Sequence, residues 1–330
     1  MPARTSYMSL VSLLVIASLS CIETTVATAN APITAITASP SERDVYIATE
    51  HTIARSGAIV YTTTGSIAQM RASKAAVYFL EVTDAETRVV GLDRNGGSPF
   101  VDLHYQSSFA PQSLELDSEF VYLVFPHPFL NASGTIMQPA MIARFRDIGG
   151  PLETLVVWSS TIHPSIAIAN GALFYAIGGS SGTFATFKYE TGTRDTIQLD
   201  SHLQFLQSIA ADDEWLYEAT GSRIRRIPKN GGAPETIVEI SDAQFDQIAI
   251  AGDRVIARER RTVPRGCVND TLVEFTSEGT RLLSTRGGPF AISGDSVLHA
   301  PRDCFLIAPQ PPFVVERFCA VAARRRAVRF

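Results

Sequence analysis

The sequence predicts an all-β chain folded as a β-propeller of four-stranded blades, on three observations. An aliphatic opener, a turn of small or polar residues, and an apolar anchor eight residues after the opener recur along the chain. Successive anchors stand 32 to 52 residues apart, close to the ~40–45 residues of a propeller blade. Gly-containing turns fall at two fixed places in the copies, where tight hairpins need positive φ.

The opener and anchor pairs are Met70 and Tyr78, Leu114 and Tyr122, Ile166 and Phe174, Ile209 and Tyr217, Ile248 and Ile256, and Phe290 and Leu298, with a weaker copy from Ala38 to Tyr46. The copy opened by Ile209 shows the whole unit. Two strands flank the turn before Trp215, a third follows from Arg223, and a fourth ends near Ile240. The first two strands of a copy meet at turns such as Asn170-Gly171, Gly252-Asp253 and Gly294-Asp295. The last two meet at Asn95-Gly96-Gly97, Gly149-Gly150, Gly192, Asn230-Gly231-Gly232 and Gly279. From Asn30 onward, 301 residues over seven copies give 43 each. Seven blades is therefore the favoured count. Six is the alternative, in which the short first copy only completes the last blade.

At these residues the chain resembles the exported bacterial propellers related to the NHL, YWTD and TolB-like groups. The likeness covers essentially all of the chain from Asn30, and it concerns fold rather than chemistry. Tyr217-Glu218-Ala219-Thr220 lacks the Trp-Thr-Asp of a YWTD blade, Asn-His-Leu is absent, and Trp158-Ser159 and Trp215-Leu216 are not the Trp-Asp of WD40 repeats. The resemblance implies a closed ring of blades used as a binding platform.

Composition supports one large folded domain. Hydrophobic residues make up 45% and charged residues 18% of the 330, with Gly 22 and Pro 18, which excludes long disorder and collagen-like repeats. A net charge of −5 argues against nucleic acid as a partner, since such binding needs a basic footprint. The first 29 residues read as an export signal with a tether, and 30–330 as a single propeller domain with a basic tail. Arg4 precedes an apolar run from Leu10 to Leu19, too short to span a bilayer comfortably. Two ends fit the signal: a cut before Cys21, where Ser18-Leu19-Ser20-Cys21 resembles a bacterial lipoprotein box and implies lipidation of Cys21, or a cut after Ala29. Ser18 departs from the box, which prefers a branched aliphatic residue there. Either cut places the protein in the periplasm, on the outer membrane or cell surface, or free outside the cell. A membrane is engaged only through the N-terminal lipid.

No catalytic, cofactor or metal signature emerges. His51, His104, His127, His163, His202 and His299 lack metal-ligand spacing. Asp212-Asp213-Glu214 falls in a hairpin turn, where acidic side chains are solvated or cap backbone amides. Gly178-Gly179-Ser180-Ser181-Gly182 lacks the Lys-Ser or Lys-Thr of a phosphate loop, and no serine sits in Gly-x-Ser-x-Gly. Arg324-Arg325-Arg326 and Arg329 read as a solvated terminus. Propeller enzymes resembling lactonases or lyases converge carboxylates, Asn or His on the axis. Here the residues just before the inner strands are Ala68-Gln69, Gln112-Ser113, Pro164-Ser165, Gln207-Ser208, Asp246-Gln247 and Gly288-Pro289, with Asp246 the single carboxylate and His163 nearby. The next inner positions, Arg71, Glu115, Ala167, Ala210, Ala249 and Ala291, read as packing around a crowded axis. The expected function is therefore non-enzymatic binding of a protein or polymer in the envelope or outside the cell, without cofactor. The alternative is a metal-assisted lactonase-like or lyase-like enzyme.

Three cysteines remain besides Cys21. Cys267 and Cys304 fall before the expected third strands of neighbouring copies, Leu272–Phe275 and Phe305–Ile307, so a Cys267–Cys304 disulfide is expected, with Cys304–Cys319 the rival. The binding face is expected where second and third strands join. Tyr46 to Ile53, Tyr217 to Ile224 and Leu298 to Phe305 are each seven residues, against 20 from Tyr122 to Ile142 and 16 from Ile256 to Leu272. The first insertion carries Phe125, His127 and Phe129 among prolines; the second carries Arg258, Arg260, Arg261 and Arg265. Aromatics and arginines are enriched where binding energy concentrates, so these loops are read as an apolar anchor and a site favouring an anionic group.

Overall fold

A computed structural model describes residues 24–29, 31–38, 44–106, 109–126, 129–130, 136–158, 165–178, 183–202, 204–262, 268–285, 288–293, 296–300 and 313–319. It is an all-β propeller. Among the described residues the strands form seven four-stranded antiparallel sheets and one two-stranded hairpin.

Strand β1 (Thr24–Ala29) belongs with the last sheet. The first blade is β2 (Ala35–Ala38), β3 (Val45–Ala48), β4 (Thr52–Arg55) and β5 (Ala58–Thr62); the second is β6 (Ser66–Ala72), β7 (Ala76–Val82), β8 (Glu86–Asp93) and β9 (Val101–Gln106). The third is β10 (Ser113–Leu116), β11 (Phe120–Phe125), β14 (Ala140–Arg146) and β15 (Glu153–Trp158), with the small hairpin β12 (Phe129–Leu130) and β13 (Ile136–Gln138) inserted in its middle. The fourth is β16 (Ser165–Ala169), β17 (Ala172–Gly178), β18 (Phe184–Glu190) and β19 (Thr196–His202). The fifth is β20 (Ser208–Ala211), β21 (Trp215–Thr220), β22 (Arg223–Pro228) and β23 (Glu235–Glu239). The sixth is β24 (Gln244–Ala251), β25 (Arg254–Thr262), β26 (Val268–Thr276) and β27 (Gly279–Ser284). The last combines β28 (Phe290–Ser293), β29 (Ser296–His299), β30 (Phe313–Cys319) and β1. First strands lie beside one another from β2 through β6, β10, β16, β20, β24 and β28, and β28 returns to β2, so the ring closes.

The repeat pattern has a direct physical cause. Anchors Tyr46, Tyr78, Tyr122, Phe174, Tyr217, Ile256 and Leu298 are all buried on second strands. Each pairs with an inner-strand residue: Thr37, Arg71, Glu115, Ala167, Ala210, Ala249 and Ala291 respectively. The tyrosine hydroxyls find acceptors, as buried phenols require. Tyr46 donates to the Arg94 carbonyl at 3.1 Å, Tyr122 to Asp117 Oδ2 at 2.7 Å, Tyr217 to Asp212 Oδ2 at 2.6 Å, and Tyr78 to the Asp147 carbonyl. Burial pushes all four phenols up from their ordinary pKa. Gly91 stands opposite Tyr78 in the ladder, and a Cβ there would sit 2.7 Å from the ring, so only glycine admits the anchor.

Most of the described turns follow the sequence expectation, with Gly192 the exception, where Arg194 rather than the glycine takes positive φ, while Gly294-Asp295 lies outside the described residues. Asn170 and Gly171 both have positive φ, 52° and 73°, the primed turn that matches strand twist. Asp212 Oδ1 accepts from the Glu214 and Trp215 amides, both at 2.7 Å, so its acidic triplet caps a turn.

Two expectations are corrected. The tether read into the end of the first 29 residues contains β1, the outer strand of the last blade, paired with β30 from Thr24 opposite Arg317 to Ala29 opposite Phe313. An outer strand makes one ladder only, so small and polar residues suffice there and the local pattern resembles a linker. The third strand of that blade is Phe313–Cys319, opposite β29, rather than Phe305–Ile307. The connection from Leu298 is therefore not one of the short ones.

Candidate functional site

The inner strands of all seven blades converge on the axis of the ring. A cavity of about 290 Å³ is lined by one residue of the same position from each blade, Thr37, Arg71, Glu115, Ala167, Ala210, Ala249 and Ala291, together with isoleucines such as Ile166, Ile209 and Ile248. Six of those seven are the residues read as axial packing from the sequence. Its two charged members neutralise each other: Arg71 Nε and Nη2 donate to Glu115 Oε2 and Oε1 at 2.9 and 2.5 Å. The lining is otherwise mainly aliphatic.

The residues before the openers have structural work. Gln69 Oε1 accepts from the Leu114 amide at 2.8 Å, Ser165 Oγ from Ile209 at 3.0 Å, and Ser208 Oγ from Ile248 at 3.3 Å. Each joins one blade to the next by satisfying an inner-strand N–H that the blade's own ladder leaves free. Asp246 is held in ion pairs. Arg258 grips it through Nε and Nη2 at 2.7 and 3.0 Å, and Arg260 Nη2 lies 2.7 Å from Oδ2.

On the face expected to bind, the two insertions are hairpin extensions. The ladder of β25 and β26 runs on from Arg258 opposite Leu272 to Thr262 opposite Val268, and blade three adds β12 paired with β13. Phe125, read as part of an exposed anchor, is instead fully buried at the end of β11. Its ring stacks on Phe109 at 5.0 Å and meets Tyr105 edge-on at 5.1 Å, so it packs the seam between blades two and three and is closed to a ligand. Phe129 lies on β12 opposite Gln138, and Arg261 on β25 opposite Asn269. Arg260 is held by Asp246 and by Asp270, 3.4 Å from Nε. Arg258 and Arg260 are thus balanced by two aspartates, which weakens the anionic preference read from the arginine count. Cys21, His127, His163, Arg265, Cys267 and Cys304 lie outside the described residues; Cys319 is placed on β30 opposite Ser296.

Sequence reasoning missed one cluster. Asp200 and His202 on β19 and Glu218 on β21 bring ligand-type atoms within 4.8 Å of one another at the seam of blades four and five. Arg225 Nη2 donates to Asp200 Oδ2 at 2.6 Å and to Glu218 Oε2, and Thr186 Oγ1 donates to Glu218 Oε1. The signal available was Asp200-Ser201-His202, two groups on one face of a strand. Glu218, from the next blade, has no local spacing to them.

No family model and no curated protein matches this sequence. Solved structures do resemble it. Hsv2 of Kluyveromyces lactis superposes with a TM-score of 0.57 at 11% identity, covering 83% of this chain and 90% of that one. TolB from Acinetobacter baumannii gives 0.54 at 12%, covering 74% and 63%. A prolyl endopeptidase gives 0.58 at 12%, covering 84% of this chain and 46% of that one. At such identity the likeness is one of fold, and the chain is a β-propeller.

Proposed function

We propose that this protein is an exported propeller, anchored through a lipid on Cys21, that binds a macromolecule of the envelope or extracellular space without catalysing a reaction. One observation carries this reading. The ring extends hairpins on a single face from blades three and six, while the axial cavity is lined mainly by aliphatic residues and an internally neutralised ion pair. Blades three and six stand three apart in the ring, so an occupant touching both spans the mouth, a size fitting a protein or polymer rather than a metabolite. Phe129, Arg261 and their hairpins supply the contacts, with Phe125 supporting the base from within the core. Cleavage before Cys21 fits this architecture better than cleavage after Ala29, because the second cut removes β1 from the closed ring.

The test shortens both connections, Phe125 to Ala140 and Thr262 to Val268, to tight turns and compares capture from envelope extract. Loss of a specific bound species with an unchanged melting curve is expected. Capture equal to that of the parent protein would move the site elsewhere.

A further inference from the structure

We propose that Asp200, His202 and Glu218 form a binding site for one divalent first-row transition-metal ion of the zinc class, at the seam between blades four and five. Asp200 and His202 are two apart on β19 and so share the face of the sheet turned toward β21. Glu218 comes from the middle of β21, where its side chain is fully buried. One imidazole with two carboxylates is a donor set such ions accept, with a fourth position left for water.

The imidazole is the informative member. Its side chain is 9% exposed, and neither Nδ1 nor Nε2 makes a hydrogen bond of good geometry, the Gln204 backbone offering the ring only a weak one. Buried polar atoms without partners are uncommon and call for an explanation such as an ion. The ring lies nearly parallel to Phe184, with centroids 6.2 Å apart and planes at 19°, which fixes its orientation. Nε2 points at Glu218 Oε2 from 3.7 Å, too long for a hydrogen bond but near the separation of two ligands on one ion.

Charge favours a cation as well. Arg225 is the cation that faces both carboxylates, at 2.6 Å from Asp200 and in contact with Glu218. Two carboxylates against one guanidinium leave a negative charge unbalanced within the seam. Thr186 holds Glu218 Oε1 by donating to it, so Oε2 is the oxygen presented to the ion, with Arg225 yielding part of its contact.

The experiment titrates the chelator-treated full-length protein with zinc chloride by calorimetry and repeats it with Co2+, whose visible absorption reports nitrogen and oxygen ligands. Saturation at one equivalent is expected, with affinity falling tenfold or more in His202→Gln and in Asp200→Asn, and unchanged in His104→Ala. Melting curves on all variants separate loss of ligation from loss of fold. Absence of saturable binding in the wild-type protein, or an equivalent retained undiminished in folded His202→Gln, overturns the proposal. The outcome is independent of whether the hairpin face captures a partner.

Discussion

Removal of β1 should cost the ring a large part of its stability, because this short segment closes the last blade. Five residue pairs link it to β30: Thr24 with Arg317, Thr25 with Glu316, Ala27 with Val315, Thr28 with Val314, and Ala29 with Phe313. An interstrand hydrogen bond contributes ~1 kcal/mol net, so about five bonds give roughly 5 kcal/mol. That is comparable to the whole stability of many domains, about 5–15 kcal/mol. Loss of β1 also turns β30 into an open edge, a template for aggregation. The assay is urea denaturation of two soluble forms, one beginning at Ile22 and one at Asn30, followed by fluorescence of Trp158 and Trp215. The shorter form should unfold at markedly lower urea and sediment as oligomers. Equal midpoints and equal slopes would refute the reasoning and would restore the cut after Ala29 as an acceptable processing site. N-terminal sequencing of the native protein gives the matching answer, with Cys21 expected.

Two further outcomes follow from side chains that bridge blades or strands. Asp44, 7% exposed, accepts from Arg55 Nε at 2.8 Å and pairs with Arg94 from the second blade; its carboxyl lies below the usual range, because the two guanidinium groups outweigh the opposing effect of burial. Asp44→Ala should destabilise the ring by about 1–2 kcal/mol, since it removes hydrogen bonds to two charged groups but leaves arginines that are partly exposed and can be rehydrated, measured by thermal or urea unfolding. His104 contacts Glu86 at 3.0 Å and Asp102 at 3.2 Å, and its pKa is raised from 6.5, chiefly by the hydrogen bond to Glu86. A raised folded value means its contribution is fully present below pH 6.5 and is lost as pH rises through the folded pKa. An NMR titration of the ring should give a value above 6.5 that drops toward it in Glu86→Gln.

What could be read from the sequence was whatever one blade determines by itself. The buried anchors, the Asn170-Gly171 turn and the axial alanines all follow from alternation and turn chemistry within about forty residues. What escaped depends on contacts between distant segments. β1 pairs with a strand near the other end of the chain, and nothing in Thr24–Ala29 announces a partner. Phe125 looks exposed beside prolines and is buried because Phe109 and Tyr105 reach it from the preceding blade. Asp246 reads as a lone acid until Arg258 and Arg260 fold back along the neighbouring strand. His202 lacks metal spacing in the sequence because its ligand-type neighbour Glu218 belongs to the next blade.

The central claim, that the face bearing the two extended hairpins is the binding surface, is tested most directly by site-specific photocrosslinking in intact cells. Photoreactive residues are placed at Phe129 and Arg261 on that face and at Glu278 and Asp213 on the opposite turns. The account predicts discrete high-mass adducts from Phe129 and Arg261, with bare protein from Glu278 and Asp213. Adducts confined to the opposite face, or equal from both, would contradict it.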